Sequence, residues 1–561
     1  MVKGIPIFTV TLAEGLFNQD VESDKLFAYA IEAHKGPIAE PTYVASSDEA
    51  KRIFGVNFAP HFYQGGSGLV LYRVAFNDAK TASLTYKAYT TDYTADQLDP
   101  TNEETYVAPA DRPTVDVMKI TATTPGTPAH KVNLCKSMTN ANAYNLTVTI
   151  EGVGSKKYQN ISSLTNVVKR INNKFAEYIK AELLTPEDTL KQNGFKPSRL
   201  FYNTDSQGNV IDTLSGGSNG KLLKTTGEVS DMEIPATGLQ EGMAGTGTAD
   251  PQPNVATTLL YAYRSAFEFL EHIDLLGVAT LSNSKVVQNE LVAHIDKLID
   301  PEVAKYRFGV TAFLDYPGQD TQGRVNPALT FDIDTLADTA IQIDNPFIVC
   351  VGQGVVFEEE NVRYNLPPHE AVQLYTGLRS KLDYFQSIFG GNPSKLLKGV
   401  VDVLPLTTDG ADIYKEDRIT LNEAGVLTFL KKYGITFLQG VTTAQDDVVL
   451  SYESIMSIVV YCLRQLVVAA WPFMGELLTE DLKSSFVNTL SDVLKNIMDT
   501  DNSLMALEDY NIAPYDVEIR AITTAGFNEA GKLVRENRLL AVIKIVPRGS
   551  IDAVELSVIV I

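Results

Sequence analysis

The stretch of this sequence that comes nearest to a ligand-binding motif is Gly216-Gly-Ser-Asn-Gly220-Lys221. A phosphate-cradling loop needs glycine at its first position and a hydroxyl residue after the lysine, because backbone amides wrap the phosphates and the hydroxyl reaches their metal. Ser215 stands at the first of these positions and Leu222 follows the lysine, so the tract reads as a tight turn. The six histidines, at 34, 61, 130, 272, 294 and 369, show no paired-ligand spacing and no neighbouring cysteine cluster, and His369-Glu370 lacks the second histidine of a zinc-protease helix. Gly66-Ser67-Gly68 does not have the spacing of a nucleophile elbow. Asp315-Tyr-Pro317 ends an expected strand, where α/β enzymes often carry a carboxylate, and turn initiation before the proline explains it equally well. The run Glu358 to Glu360 could hold a cation or be a solvated loop. No catalytic, metal-binding or cofactor-binding residue is therefore assigned, no cofactor is expected, and the chain reads as a non-enzyme.

Composition narrows the classes further. The 561 residues are enough for several cores, and 44% hydrophobic with 21% charged residues is an ordinary globular balance. Lys and Arg number 47 against 69 Asp and Glu, a net charge of −22. A field of that sign repels phosphate backbones, so direct nucleic-acid binding is not expected. Cys135, Cys350 and Cys462 are too far apart for a metal or redox motif. The start Met1-Val-Lys-Gly-Ile-Pro lacks a secretion-signal pattern, and the most apolar run, Ile455 to Phe473, is interrupted by Ser457, Arg464 and Gln465. That run reads as a buried helix, no membrane binding is expected, and assembly in a cytoplasm is.

The elements follow from periodicity. Residues 1–22 read as an extended N-terminal arm punctuated by Ile5, Ile7 and Val10. Leu26 to Ile31 and Leu69 to Ala75 read as strands, the second buried on both faces; between them come a turn-rich connector, Gly36 to Pro41, and a short helix capped by Ser46 or Ser47 and ending at Phe54-Gly55. Residues 81–254, rich in Thr, Asn, Ser, Gly and Pro, read as a β-rich inserted outer domain with strands Val115 to Ile120 and Ala143 to Glu151 and a helix from Ser163 to Leu184. An α/β rhythm then returns: helix Leu259 to His272, strand Leu275 to Leu281, helix Ser284 to Asp300 and strands Phe308 to Leu314 and Phe347 to Val351. A third region carries a helix near Asn422 to Tyr433, strand Thr436 to Gln439, helices Ser451 to Trp471 and Thr479 to Met498, and two terminal strand runs, one of them Leu539 to Val546. The expected fold class is multidomain α/β and α+β. A central α/β domain spans 23–80 and 255–420, the inserted domain 81–254, a C-terminal α+β domain 421–546, and a C-terminal arm 547–561. The last segment, Val554-Glu-Leu-Ser-Val-Ile-Val-Ile561, is an apolar strand that pairs either within its own domain or with another chain.

Taken in order, several short motifs resemble the contractile-tail sheath family. They are Gly36-Pro37 with Glu40-Pro41 and Phe54-Gly55; Leu214 to Gly220; Phe313 to Pro317; Pro367-Pro368 with Ala371 and Gly377; Leu421 to Gly425 with Gly434 and Gly440 to Thr443; and Pro547 to Glu555. The resemblance covers nearly the whole chain. It departs at Leu438-Gln-Gly-Val-Thr-Thr443, where the family often has a Trp-Gly-Ala-Arg-Thr-like element, and after Pro367-Pro368.

The resemblance implies a structural subunit that polymerises as stacked hexameric rings around a tail tube and contracts to drive the tube through a cell envelope, with baseplate and tail terminator proteins as further partners. It implies a place in a virion tail after assembly in the host cytoplasm. It also implies that both chain ends, with Ile5, Ile7, Val10, Val554, Leu556, Val558 and Val560, add strands to sheets of neighbouring copies. Lys532, Arg535 and Arg538 are candidates to face the tube, with ordinary strand-end solvation as the alternative. An α/β enzyme with an accessory β domain, or a surface or capsid-like shell protein, are the competing classes.

Overall fold

The computed structural model describes residues 25–74, 79–90, 97, 107, 113–192, 200–201, 203–204, 210–218, 255–300, 303–312, 333–404, 415–432, 434–445, 449–474, 476, 479–501, 504, 513–527 and 533–547. Phe27–Glu32 (β1) opens the chain's main sheet, followed by Pro41–Val44 (β2), helices Ser47–Phe54 (α1) and Ala59–Tyr63 (α2), and Leu69–Val74 (β3). The α1 helix starts where its side chains dictate. Ser46 Oγ accepts the Glu49 amide at 3.2 Å, Asp48 and Glu49 sit in the first turn, and Gly55 closes it at φ 75°. Pro41 begins a strand, contrary to the irregular connector expected there; as the first residue of the edge strand it costs the sheet little.

The inserted region carries Thr81–Tyr89 (β4), Thr114–Pro125 (β5), Lys131–Lys136 (β6), Tyr144–Ile150 (β7), Gly154–Ile161 (β8), helix Leu164–Lys174 (α3), Ile179–Leu183 (β9), helix Glu187–Gln192 (α4) and three two-residue strands, Leu200–Phe201 (β10), Asn203–Thr204 (β11) and Val210–Ile211 (β12). One sheet runs β10-β4-β5-β9 and a second β6-β7-β8. Both present one apolar face to a shared core that includes Tyr86, Ile120, Leu146, Val148 and, from α3, Leu164, Val167 and Ile171. The single helix expected from Ser163 to Leu184 is in fact α3 followed by β9. Asn172 stops it: its amide bonds both ways with the Ala181 backbone, at 2.9 and 2.8 Å, and folds the chain back into a strand against β5.

After this insertion come helix Val255–Leu270 (α5), Gly277–Thr280 (β13), helix Lys285–Leu298 (α6), Phe308–Thr311 (β14), helix Ile333–Ile343 (α7), Ile348–Val351 (β15), the hairpin Val355–Glu359 (β16) and Val362–Leu366 (β17), helix Pro368–Lys381 (α8), Val400–Val403 (β18), helix Lys415–Glu423 (α9), Val426–Leu427 (β19), Phe429–Lys431 (β20) and Ile435–Phe437 (β21). The main sheet has the order β19-β15-β14-β13-β1-β3-β2, parallel except for β2. Its central strands are short and wholly buried, as a sheet covered on both faces requires. The helix expected near Asn422 to Tyr433 is instead the end of α9 followed by two short strands. Gly425, at φ 83°, breaks it, and a Cβ there would lie 2.2 Å from the Thr442 carbonyl oxygen.

The chain continues through helix Glu453–Ala470 (α10), helix Glu480–Asp501 (α11), Tyr515–Phe527 (β22) and Leu533–Ile545 (β23). Together with its following turn, α10 is long and apolar enough to cross a membrane, and Met456, Ile458, Val460 and Cys462 of its first half are buried. Ile458, Cys462 and Leu466 form a core with Phe486, Leu490 and Leu494 of α11. The protein is thus a mixed α/β molecule built from several sheets.

Candidate assembly interface

The groups that first suggested chemistry have structural uses. Ser215 and Ser218, flanking the Gly216-Gly217 turn, bridge to Ser83 and Lys80, so the segment lies along β4; a Cβ on Gly217 would fall 1.7 Å from the Gly126 carbonyl oxygen. His61 is fully buried between Thr376 Oγ1 (3.0 Å) and the Ser67 carbonyl (2.9 Å), and burial pulls its pKa down to about 4. The Glu358 to Glu360 run is spent on ion pairs and a turn rather than a cation. Glu358 pairs with Arg363 at 2.6 Å, Glu359 with Lys51 at 2.7 Å, and Glu360 and Asn361 take positive φ at the hairpin tip. Among the described residues, no three of His, Cys, Asp and Glu come together so as to hold a metal ion. Asp315 lies outside the described residues.

A cavity of about 320 Å³ lies between the end of α8 and α10, with Lys25, Arg379, Tyr384, Tyr461 and Arg464 in its lining. Its cations have partners: Lys25 with Asp383 at 3.8 Å, Arg464 with Asp274 at 2.8 Å, Arg379 with Glu453 at 3.4 Å. The last of these is the most buried pair, its side chains 1% and 0% exposed. Tyr375 donates its hydroxyl to Glu453 at 3.0 Å, and Arg379 also donates to the Gln386 and Asp383 carbonyls. Burial raises the Glu453 carboxyl pKa, with Arg379 opposing the rise. This cluster pins the first turn of α10 to α8, and so ties the C-terminal helices to the main sheet's helical layer. Sequence reading missed it: Arg379 lies in a helix that also carries His369, Glu370, Gln373, Thr376, Ser380 and Lys381, so nothing in its surroundings marks it as buried.

The feature that can do something to a partner is the two-stranded ribbon β22-β23. It pairs in one unbroken register from Tyr515 opposite Ile545 to Phe527 opposite Leu533. Thirteen residues per strand make it roughly 40 Å long at about 3.3 Å per residue. At its base, Tyr515, Val517, Ile519, Ala541, Ile543 and Ile545 pack on the core of α10 and α11. The alternate positions Asp516 and Glu518 turn outward, where Lys544 lies 3.3 and 3.7 Å from their carboxylates. Among the described residues no further strand joins either long edge, so each offers a row of backbone donors and acceptors to an added strand. An isolated two-stranded hairpin is marginal in water, and among the described side chains it is the base of this one that is anchored.

The second strand starts earlier than the expected Leu539. Arg535 and Arg538 therefore lie within β23, opposite Ala525 and Ile522, rather than before it. Lys532 and the arm positions Ile5, Ile7, Val10, Val554, Leu556, Val558 and Val560 lie outside the described residues.

No family model matches the sequence, and no curated protein matches it. Among solved structures, the chain is similar to a sheath tail protein of Desulfitobacterium hafniense with a TM-score of 0.53 and 11% identity, over 94% of this chain and 99% of that one. A sheath tail protein of Listeria innocua matches with a TM-score of 0.48 and 11% identity, over 92% of this chain and 94% of that one. The contracted helical sheath of the anti-feeding prophage matches less fully, with a TM-score of 0.35 and 13% identity over 57% of this chain and 85% of that one. The first of these likenesses spans both chains almost end to end and shows a common fold.

Proposed function

We propose that this chain, which has the fold of a sheath tail protein, is the structural subunit of a contractile tail sheath. It polymerises on itself around a tail tube and contracts to drive that tube through the target envelope. The observation that carries this reading is the ribbon β22-β23, long, anchored at its base and, among the described residues, without a further strand on either edge. In the proposal, residues 1–22 and 547–561 of neighbouring copies supply the missing strands and convert a marginal hairpin into a sheet. Neighbours joined this way can hinge without separating, as contraction demands.

Further parts of the reading follow from it. Copies assemble as hexameric rings stacked into a helix, the tube lies inside, and baseplate and terminator proteins meet the two ends of the stack. Lys532, Arg535 and Arg538 are the candidates to face the tube. The energy of the movement is stored in packing and needs no nucleotide.

Electron microscopy of the purified chain tests the reading. Long hollow cylinders are expected as concentration rises. Discrete closed particles would point to a shell protein, and a persistent monomer would reject self-assembly.

A further inference from the structure

Charge is distributed unevenly over the molecule. Residues 113–192 of the inserted region hold ten Lys and Arg against six Asp and Glu, a net +4, so the rest of the chain carries −26. Within this region the exposed stripe of α3 is Asn166, Lys169, Arg170, Asn173 and Lys174, with no acid in it. Beside it runs the exposed edge strand β8 with Lys156 and Lys157, and Arg170 lies over the Tyr158 ring, 5.1 Å from its centre. None of these five cations has an acidic partner among the described residues, whereas the region's own Glu151, Glu177 and Glu187 are all paired elsewhere.

The opposite charge sits at the far side of the fold. Between Arg324 and Arg363 the sequence contains no Lys or Arg. Helix α7 in that stretch exposes Asp334, Asp338 and Ile341, and its inner face packs with Cys350 of β15 and Val426 of β19. That is one edge of the main sheet. The inserted region attaches at the other, where Arg52 of α1 donates to the Tyr178 hydroxyl at 2.7 Å and pairs with Glu177. Seven strands about 4.8 Å apart put roughly 30 Å between the two edges.

We infer that the basic face of α3 and β8 on one copy seats against the acidic face of α7 on the next. Two complementary patches at opposite edges of one chain make a head-to-tail contact, the kind that propagates into rings or helices. The partner is a second copy because the body of this same chain supplies the complementary charge. Such a contact also offsets the repulsion between neighbours that each carry −22. This inference rests on the self-assembling reading above.

The test uses the full chain and three variants: K169E/R170E/K174E, D334K/D338K, and both sets combined. All positions are exposed, and circular dichroism checks that each variant folds. At about 0.1 M salt each single set is expected to raise the concentration needed for polymer by roughly tenfold, with the gap closing near 1 M as the Debye length shrinks to about 3 Å. The combined chain is expected to recover. Unchanged polymerisation of both single sets, or no recovery in the combined chain, overturns the contact while leaving the sheath reading intact. Retention of the wild type but not of K169E/R170E/K174E on anionic polysaccharide beads, with assembly unaffected, overturns it in favour of an anionic polymer. Failure of the wild type to polymerise at all overturns both.

Discussion

Replacing Arg379 by alanine is expected to cost about 3–5 kcal/mol of stability, the usual penalty for leaving a buried charge without its partner. Glu453 is the group left behind, wholly buried, with Oε2 already lacking a hydrogen-bond partner and Tyr375 as its remaining donor. The loss depends on pH in a defined direction. Burial raises the folded-state pKa of Glu453, so its ionisation costs stability as pH rises above the unfolded carboxylate range, and removing Arg379 steepens that loss. The R379A deficit in chemical denaturation is therefore expected to be largest near neutral pH and to narrow as pH falls toward about 4.5. R379M/E453M, which removes both charges, should cost less than R379M alone. If the double variant is the worse of the two, the pair contributes something other than mutual charge compensation.

Removing Leu556 to Ile561 is expected to abolish sedimenting polymer while leaving circular dichroism close to that of the intact chain. The magnitudes explain so complete an effect from six residues. Each apolar side chain in a docked strand contributes roughly 1.5–3 kcal/mol and each backbone hydrogen bond roughly 0.5–1.5 kcal/mol, against roughly 1–2 kcal/mol per residue for ordering the strand. A single arm is thus close to balanced, and a small loss per copy, multiplied over every contact in an array, removes the array. Polymers of normal length from the truncated chain would show that the C-terminal segment is not a linking strand.

Much of the fold was legible because local chemistry and tertiary packing agree. The Ser46 cap, the Asp48-Glu49 first turn and the Gly55 stop delimit α1 almost to the residue. The continuous apolar run at Leu69 marks a strand buried on both faces. Legibility failed where two periods fit the same residues. Ile171, Phe175 and Ile179 sit at helical spacing, yet Ile179 opens a strand whose 179, 181 positions are buried by alternation. It failed again where elements are two or three residues long, as for Val426–Leu427, which carry too little pattern to register and still complete the main sheet. The ribbon was seen only in part: Arg535, Glu536, Asn537 and Arg538 break the apolar pattern of β23, and cross-strand pairing continues the strand through them. The Arg379–Glu453 pair was illegible for a different reason, since charged residues are read as surface and only the packed structure shows that these two are not.

The most direct test is an atomic structure of the polymer, traced through β22-β23. The expected result is a ribbon widened to three or four strands, the added ones belonging to chain ends that enter from different copies. A ribbon still two strands wide, with both ends of each polypeptide lying on their own subunit, would contradict the account.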